Sequence, residues 1–248
     1  MPTFLIVLTA GLVAGTMNAL AGGGSFITLS ALILAGLDPR AANITSTVAL
    51  FPGQVTSGWS GRSLVANLPQ LSFRSVGLIG LAGGAIGAAL LLLTPPSFFA
   101  RLVPFLVLFA TAVFAWGSFL RRPSELGKRP MGRGRAAAAQ LGIGIYGGYF
   151  GGGIGFLLMA ALTVAGLTVR TASATKNALA GIINASAVLI FAFSPDVAWQ
   201  PALVLGAGAI AGGQLGVWAL RRVDERSLRI AVVLVGCALT VGLFLRAA

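Results

Sequence analysis

Lys176 places a positive charge inside an apolar segment of the sequence. It follows Arg170 by six residues, which corresponds to about 8 Å along a helix. No Asp or Glu lies within any apolar segment, and Asp196 is twenty residues further on, or about 30 Å along a helix. Because charges inside membranes are costly and usually functional, Lys176 predicts a site for an anion. The alternative interpretation is an ammonium group that extends to the membrane interface.

Two glycine triplets, Gly22–Gly24 and Gly151–Gly153, each precede a short apolar segment. The segments, 26–36 and 155–166, have eleven and twelve residues, so each spans roughly 17 Å of a ~30 Å membrane core. Short, glycine-interrupted segments at matching places in two halves are typical of transporter binding sites. The N–H groups at the start of a broken helix also suit an anion. The alternative is close helix packing through small residues.

Two polar clusters follow the short segments at matching positions. Their members are Asn43, Thr45, Ser46 and Thr47 in the first half, and Ser173, Thr175, Lys176 and Asn177 in the second. Hydroxyl groups in such clusters can instead bind the backbone of their own helix. The amides of Asn18, Gln54 and Asn184 can likewise join helices to one another. The predicted substrate-binding residues are Asn18, Gly22, Gly23, Gly24, Ser25, Asn43, Thr45, Ser46, Thr47, Gly151, Gly152, Gly153, Thr175, Lys176 and Asn177.

Other chemistry finds little support in the sequence. There is no His, and Cys237 is the only Cys, so neither a zinc site nor an internal disulfide is expected. No P-loop occurs, and no nucleophile–base pair indicates an enzyme. We therefore expect no metal, no cofactor and no catalytic residue. An anion leaving a cell with a negative interior needs no proton relay, because each charge gains about 2.3 kcal/mol per 100 mV.

The composition indicates a polytopic membrane protein. Hydrophobic residues make up 57% of the 248 residues, charged residues make up 9%, and the mean hydropathy is +0.95. A soluble domain usually carries about 25% charged residues. The apolar runs are continuous rather than alternating, which predicts membrane-spanning helices and an all-α fold. The net charge is +12. The Lys and Arg residues that produce it lie mainly in short loops, so a lipid bilayer is the expected partner rather than nucleic acid.

Ten apolar segments are predicted, and a basic stretch near the midpoint separates them. The segments cover roughly 3–20, 26–36, 41–58, 74–93, 99–120, 137–150, 155–166, 172–193, 201–220 and 228–245. Residues 121–135 contain six Lys and Arg residues, two Pro and three Gly, which is the composition of a linker. We therefore predict a first transmembrane repeat over 1–120, a cytoplasmic linker over 121–135 and a second transmembrane repeat over 136–248.

The two halves repeat each other at an offset near 130 residues. Gly22–Gly24 matches Gly151–Gly153, and Ala35-Gly36-Leu37 matches Ala165-Gly166-Leu167. Arg40 matches Arg170, Thr45 matches Thr175, and Ala82-Gly83-Gly84 matches Ala211-Gly212-Gly213. Several matches in order at one spacing indicate an internal repeat. The repeat is imperfect, since Ser46 stands where the second half has Lys176.

The loop charges indicate how the halves are oriented. If each half crosses the membrane an odd number of times, the halves are inverted, and thirteen Lys and Arg residues lie on one side against Arg40, Arg101 and Arg246 on the other. If each glycine-broken pair is a single span, the halves are parallel and the charges divide almost evenly. The positive-inside rule favours the first arrangement. It predicts a cytoplasmic linker, two termini outside, and two inverted repeats of about five segments that each start with a glycine-broken half-helix.

Both halves also resemble one known family. The run from Gly15 to Phe26, GTMNALAGGGSF, resembles the first-half signature of the TauE/SafE sulfite exporters. The run from Tyr146 to Gly155, YGGYFGGGIG, resembles the second-half signature, and Ala174–Asn177 fits its continuation. The similarity covers nearly the whole chain. The resemblance implies export of sulfite or organosulfur anions, such as sulfoacetate, across a bacterial cytoplasmic membrane.

We therefore expect an inner-membrane transporter that exports a small anion, most simply sulfite or an organosulfonate. An anion channel could use the same residues without alternating access. A membrane scaffold or assembly partner without transport is a further alternative, although a scaffold would not require matched broken segments. A homodimer is one assembly compatible with the sequence.

Overall fold

The computed structural model describes residues 2–20, 22–116 and 132–219, together with scattered positions between 230 and 245. Within these residues the fold is entirely helical, which confirms the predicted all-α class. The α-helices are α1 (Pro2–Leu20), α2 (Gly24–Leu34), α3 (Pro39–Ser60), α4 (Phe73–Leu93), α5 (Pro96–Ala115), α6 (Arg133–Tyr149), α7 (Ile154–Val164), α8 (Val169–Phe191) and α9 (Trp199–Ala219). A short 3-10 helix covers Arg62–Leu64.

These helices coincide with nine of the ten predicted apolar segments to within a few residues. Most of the tenth segment, 228–245, lies outside the described residues. The same holds for residues 121–131 of the predicted linker, whereas its last three residues form the first turn of α6. The boundaries of the two repeats and the linker therefore stay a prediction.

Helix lengths and hydropathy distinguish four candidate membrane spans from two short half-helices among the described elements. Four helices are long and apolar enough to cross a membrane, over Phe73–Leu93, Pro96–Val113, Arg170–Phe191 and Trp199–Ala219. By contrast, α2 and α7 have 11 residues each, or about 17 Å. They are too short to span the core alone, as the sequence predicts.

The chain breaks and turns with the same backbone geometry in each half. Gly23 precedes α2 with a φ of 83°, and Gly153 precedes α7 with a φ of 82°. After these half-helices, Gly36 and Gly166 have φ values of 99° and 98°. All four lie in the left-handed region that glycine tolerates best. The glycine triplets therefore end α1 and α6 and start the two half-helices.

Glycine contacts between the helices establish their relative directions. Gly11 lies against Leu205 and Gly15 against Ala209, so α1 and α9 run in the same direction. Helices α4 and α6 also run in the same direction, because Gly83 lies against Leu141 and Gly87, one turn later, lies against Ile145. Such close backbone approach is the role of small residues in membrane helix pairs.

The central helices α3 and α8 run in opposite directions. Gly61 lies against Ala174 and Gly58 against Ala178, so residue numbers along α8 fall toward the end of α3. Helix α3 runs parallel to α9, because Ala49 lies against Gly206 and Gly53 against Ala209. Helix α4 runs parallel to α8, because Gly77 lies against Ile182 and Gly84 against Ser186. The set α1, α3 and α9 is therefore antiparallel to the set α4, α6 and α8.

Candidate functional site

The break between α1 and α2 frees carbonyl groups that must find donors inside the protein. The last carbonyls of a helix have no partner within it, and lipid cannot supply one. Two side chains of α8 supply donors. The Ser173 hydroxyl binds Ala19 O at 3.0 Å and Leu20 O at 2.8 Å, and Asn177 Nδ2 donates to Ala19 O at 3.1 Å. Part of the predicted polar cluster thus terminates α1.

Lys176 completes this contact between α8 and α1. Its side chain is 1% exposed, and its ammonium group donates to Asn18 O. A cation at a helix C-terminus is favoured by the helix dipole. No carboxylate among the described residues pairs with it, since the ion pair in that part of the chain joins Arg40 to Asp196 at 2.6 Å. The charge of Lys176 is therefore held by dipoles in the protein interior.

Asn18 connects the end of α1 to the start of α2. Its Oδ1 accepts a hydrogen bond from Gly24 N at 3.0 Å, at the first residue of α2. Because a backbone N–H can only donate, the side-chain oxygen must face Gly24 and the amide NH₂ must point elsewhere. Asn18 thus binds Lys176 through its backbone and stabilises the N-terminus of α2 through its side chain.

The second break, between α6 and α7, has fewer capping side chains. Gly153 N donates to Ser25 Oγ at 3.3 Å, and Asn43 Nδ2 donates to Tyr149 O at 3.3 Å. The residue that matches Asn18 at an offset of 130 is Gly148, which has no side chain with which to cap α7. At the start of α2, the amide of Asn18 caps a backbone N–H group. The start of α7 has no such amide cap among the described residues, so its N–H groups are available to a ligand.

The two half-helix N-termini meet between the halves. A Cβ on Gly22 would come within 2.8 Å of Gly155 Cα, so the two backbones touch at this point. Behind them, the repeat-related rings of Phe26 and Phe156 pack edge to face with centroids 5.4 Å apart. Larger residues at the breaks would separate the half-helices.

A small cavity joins Lys176 to the start of α7. Its lining residues are Asn18, Ser25, Gln54, Gly151, Ile154, Gly155, Lys176, Asn177 and Ala180. Its volume of about 10 Å³ is roughly the room of one water molecule. The cavity thus combines an ammonium group, amide groups and a helix N-terminus, which together favour a negative charge.

The cavity brings together only part of the predicted set. Asn18, Ser25, Gly151, Lys176 and Asn177 line it. The remaining triplet glycines, Gly22, Gly23, Gly24, Gly152 and Gly153, shape the two breaks through their backbone.

Thr45 and Thr175 lie elsewhere and hold loops in place. Thr45 Oγ1 accepts from Ala198 N at 3.0 Å in the loop before α9, and Thr175 Oγ1 accepts from Ala66 N at 3.1 Å in the loop before α4. Neither threonine is among the residues that line the cavity.

The rest of the first polar cluster also engages the protein. Ser46 Oγ lies 2.5 Å from Thr28 Oγ1, and Thr47 Oγ1 donates to Asn43 O within its own helix at 2.9 Å. Besides Gln54, three residues outside the predicted set, Ile154, Gly155 and Ala180, line the cavity. The first two continue the second glycine triplet and could have been inferred from it. Ala180 carries no signal in the sequence.

Gln54 is the cavity residue that sequence reasoning ranked too low. Its Oε1 accepts a hydrogen bond from Asn184 Nδ2 at 2.7 Å, where α3 crosses α8. Gln54 and Asn184 are separated by 130 residues, so they are counterparts in the repeat. The amide pair does join two helices, as the alternative interpretation expects, but Gln54 also faces the cavity.

Apolar helices of spanning length, combined with interrupted half-helices around a buried charge, define the class of polytopic membrane transporters. Comparison with known proteins agrees with this class. The family model for the sulfite exporter TauE/SafE matches residues 7–243. The chain belongs to the TauE/SafE family.

Similar curated proteins cover almost the entire chain. A probable membrane transporter protein of Haemophilus influenzae is 26% identical over 95% of this chain and 92% of its own length. The probable membrane transporter protein ORF9 of Sinorhizobium sp. is 29% identical, over 97% and 91% respectively. The probable membrane transporter protein YfcA of Escherichia coli K12 is 24% identical, over 95% and 87%. These relatives support a membrane transporter, and their names specify no substrate.

The capping role of Asn18 predicts a specific pattern of stability. Asn18→Leu leaves the Gly24 N–H buried without an acceptor, which costs about 1–3 kcal/mol. Asn18→Asp retains an oxygen acceptor beside a helix N-terminus. We expect the leucine variant to unfold at a lower temperature in detergent and the aspartate variant to unfold near the wild-type temperature. Identical unfolding of both variants and the wild type would show that Asn18 does not stabilise α2.

Proposed function

We propose that the protein exports a small anion, sulfite or an organosulfonate, across the cytoplasmic membrane. The observation that carries this proposal is the position of Lys176. Its ammonium group is buried, has a neutral carbonyl as its hydrogen-bond partner, and shares a cavity with the N-terminus of α7. A small oxyanion would supply the opposite charge that the described protein residues do not.

The chemistry of the cavity suits an oxyanion. A charged hydrogen bond from Lys176 would bind one oxygen, and the N–H groups that begin α7 would bind others. The carbonyl of Asn18 holds the ammonium group in place before the substrate arrives. Substrate binding would then move this ammonium group from the α1 C-terminus to the anion.

The small size of the cavity favours a transporter over a channel. With about 10 Å³ of space, it admits one water molecule and no larger polyatomic anion. An anion could reach Lys176 only after the surrounding helices move apart. Such movement is expected of alternating access, in which one repeat rocks against the other around a fixed site.

Two inverted halves would provide this movement. The repeat pairs α1 with α6, α3 with α8, and α4 with α9. Helices α1 and α3 belong to one parallel set, and their counterparts α6 and α8 belong to the opposite set. In the third pair, α4 belongs to the second set and its counterpart α9 to the first. Each of these three pairs is therefore antiparallel, which supports opposite orientations of the halves in the membrane.

The charges of the helix ends support a cytoplasmic linker. Arg62 follows α3, whereas Arg74, Arg133 and Arg170 lie in the first turns of α4, α6 and α8. Because α3 is antiparallel to these three helices, all four charges lie at one end of the bundle. The positive-inside rule predicts that this end is cytoplasmic and that the N-terminus lies outside. Export of an anion toward that outer side could run on the membrane potential alone.

Reconstituted liposomes would test the transport proposal through Lys176. We expect labelled sulfite or a labelled organosulfonate to cross the membrane with the wild-type protein. Lys176→Met or Lys176→Ala should lower the flux about 10- to 100-fold, which corresponds to the loss of a charged hydrogen bond of about 1.5–3 kcal/mol. The control is Arg170→Met, since Arg170 is exposed on the same helix and its loss changes the net charge equally.

The proposed role of Lys176 would be wrong if flux were unchanged in its variants. Wild-type liposomes without flux of either anion would support the non-transporting alternative. A counterflow experiment separates the remaining two classes. A transporter accelerates uptake of label when unlabelled substrate is present on the opposite side, whereas a channel shows no such stimulation.

The inverted arrangement predicts opposite exposure for counterparts in the repeat. Ser63 follows α3 and Phe193 follows α8, 130 residues apart, and both side chains are exposed. In a Cys237→Ser background, a membrane-impermeant maleimide added to intact cells should label Phe193→Cys. Labelling of Ser63→Cys should require permeabilised cells. Labelling of both positions from the same side would indicate parallel halves instead.

A further inference from the structure

Three amide side chains mark the place where the Lys176 cavity meets a second cavity. The second cavity lies among α1, α3 and α9, has a volume of about 10 Å³, and is lined by small residues such as Gly15, Gly53 and Ala209. Asn18, Gln54 and Asn177 line both cavities, and none of the other described residues does so. The boundary between the two spaces therefore consists of amides.

Each of the three amides is held at one end by a neighbouring element. Asn18 Oδ1 accepts from Gly24 N, and Asn177 Nδ2 donates to Ala19 O. Because a backbone partner binds one end of each amide, the opposite end of that amide points away from the partner. The NH₂ of Asn18 and the Oδ1 of Asn177 have no hydrogen-bond partner among the described residues.

Gln54 is anchored in the same way by Asn184, whose Nδ2 donates to its Oε1 at 2.7 Å. None of the described residues accepts a hydrogen bond from the NH₂ of Gln54. The three side chains thus combine fixed positions with unused hydrogen-bonding groups. Two NH₂ groups can bind an oxyanion there without the additional positive charge that would trap it.

We propose that Asn18, Gln54 and Asn177 form an uncharged constriction through which the anion passes between the two cavities. This inference rests on the proposed transport function. In the Lys176 cavity the anion is bound by a full charge. Beyond the constriction, the α1–α3–α9 cavity is lined by small residues and by Ser57, whose hydroxyl donates to Gly53 O. The NH₂ groups of Asn18 and Gln54 replace the hydrogen bonds of the ammonium group while the anion leaves it.

Transport kinetics of Gln54 variants in liposomes would test the constriction. Gln54→Leu removes the donor and the acceptor but leaves Lys176 in place. We expect the maximal flux of labelled sulfite to fall at least about tenfold, while KM changes less than about threefold. Gln54→Glu retains an oxygen for Asn184 but replaces the NH₂ by a negative charge, and it should lower the maximal flux further. Size-exclusion elution in detergent verifies that each variant is folded.

Gln140→Leu is the matched control. Gln140 is also a buried amide, its Nε2 has no hydrogen-bond partner, and it lines neither of the two cavities. Removal of a buried donor that has no partner should not destabilise the protein. We expect Gln140→Leu to transport at the wild-type rate.

Four outcomes decide between the possibilities. A selective fall in maximal flux for Gln54→Leu supports the constriction. Wild-type kinetics in that variant would overturn it while the transport function stands. A higher KM at unchanged maximal flux would also overturn it, because Gln54 would then be only a ligand of the Lys176 site. Absence of flux in the wild type, in contrast, would overturn the transport function and the constriction together.

Discussion

The structure depends on how the protein satisfies the backbone at two interrupted helices. An ordinary membrane helix pairs its polar groups internally, whereas a break leaves carbonyls at one end and N–H groups at the other. At the first break, α8 supplies Ser173, Lys176 and Asn177 to the carbonyls of α1. The charge of Lys176 is thereby stabilised in the interior by carbonyl groups of α1, and those carbonyls would otherwise be buried without a donor. The same interaction holds α8 against α1 and so joins the two halves of the chain.

The two breaks share a backbone geometry but differ in their side chains. The φ values of Gly23 and Gly153 agree within one degree, yet Lys176 corresponds to Ser46 and Asn18 corresponds to Gly148. The first break therefore carries the charge and an amide cap, whereas the second presents a half-helix N-terminus without that cap. This asymmetry explains why the cavity beside Lys176 combines a cation with the N–H donors that begin α7.

Much of this arrangement could be predicted from the sequence because it rests on local patterns. Continuous apolar runs predict the helices, and the glycine triplets predict both breaks and the short helices after them. The isolation of Lys176 from carboxylates is also visible, since so few acidic residues exist. These features can be predicted from neighbouring residues or from the number of residues of one type in the whole chain.

Other features depend on which helix faces which, and a single sequence does not contain that information. Thr45 and Thr175 look like members of a binding cluster, but their hydroxyl groups hold the loops before α9 and α4. The carbonyl partner of Lys176 is 158 residues away. Gln54 looks like any amide that joins helices, and its place at the cavity follows only from the crossing of α3 and α8.

The position of a bound anion tests the central claim most directly. A structure of the protein determined with sulfite or an organosulfonate should contain the anion beside Lys176. Its oxygens should lie about 2.7–3.2 Å from the ammonium group and from N–H groups at the start of α7, and the surrounding helices should have moved apart. An anion bound only at exposed arginines, with Lys176 still donating to the Asn18 carbonyl, would contradict the account.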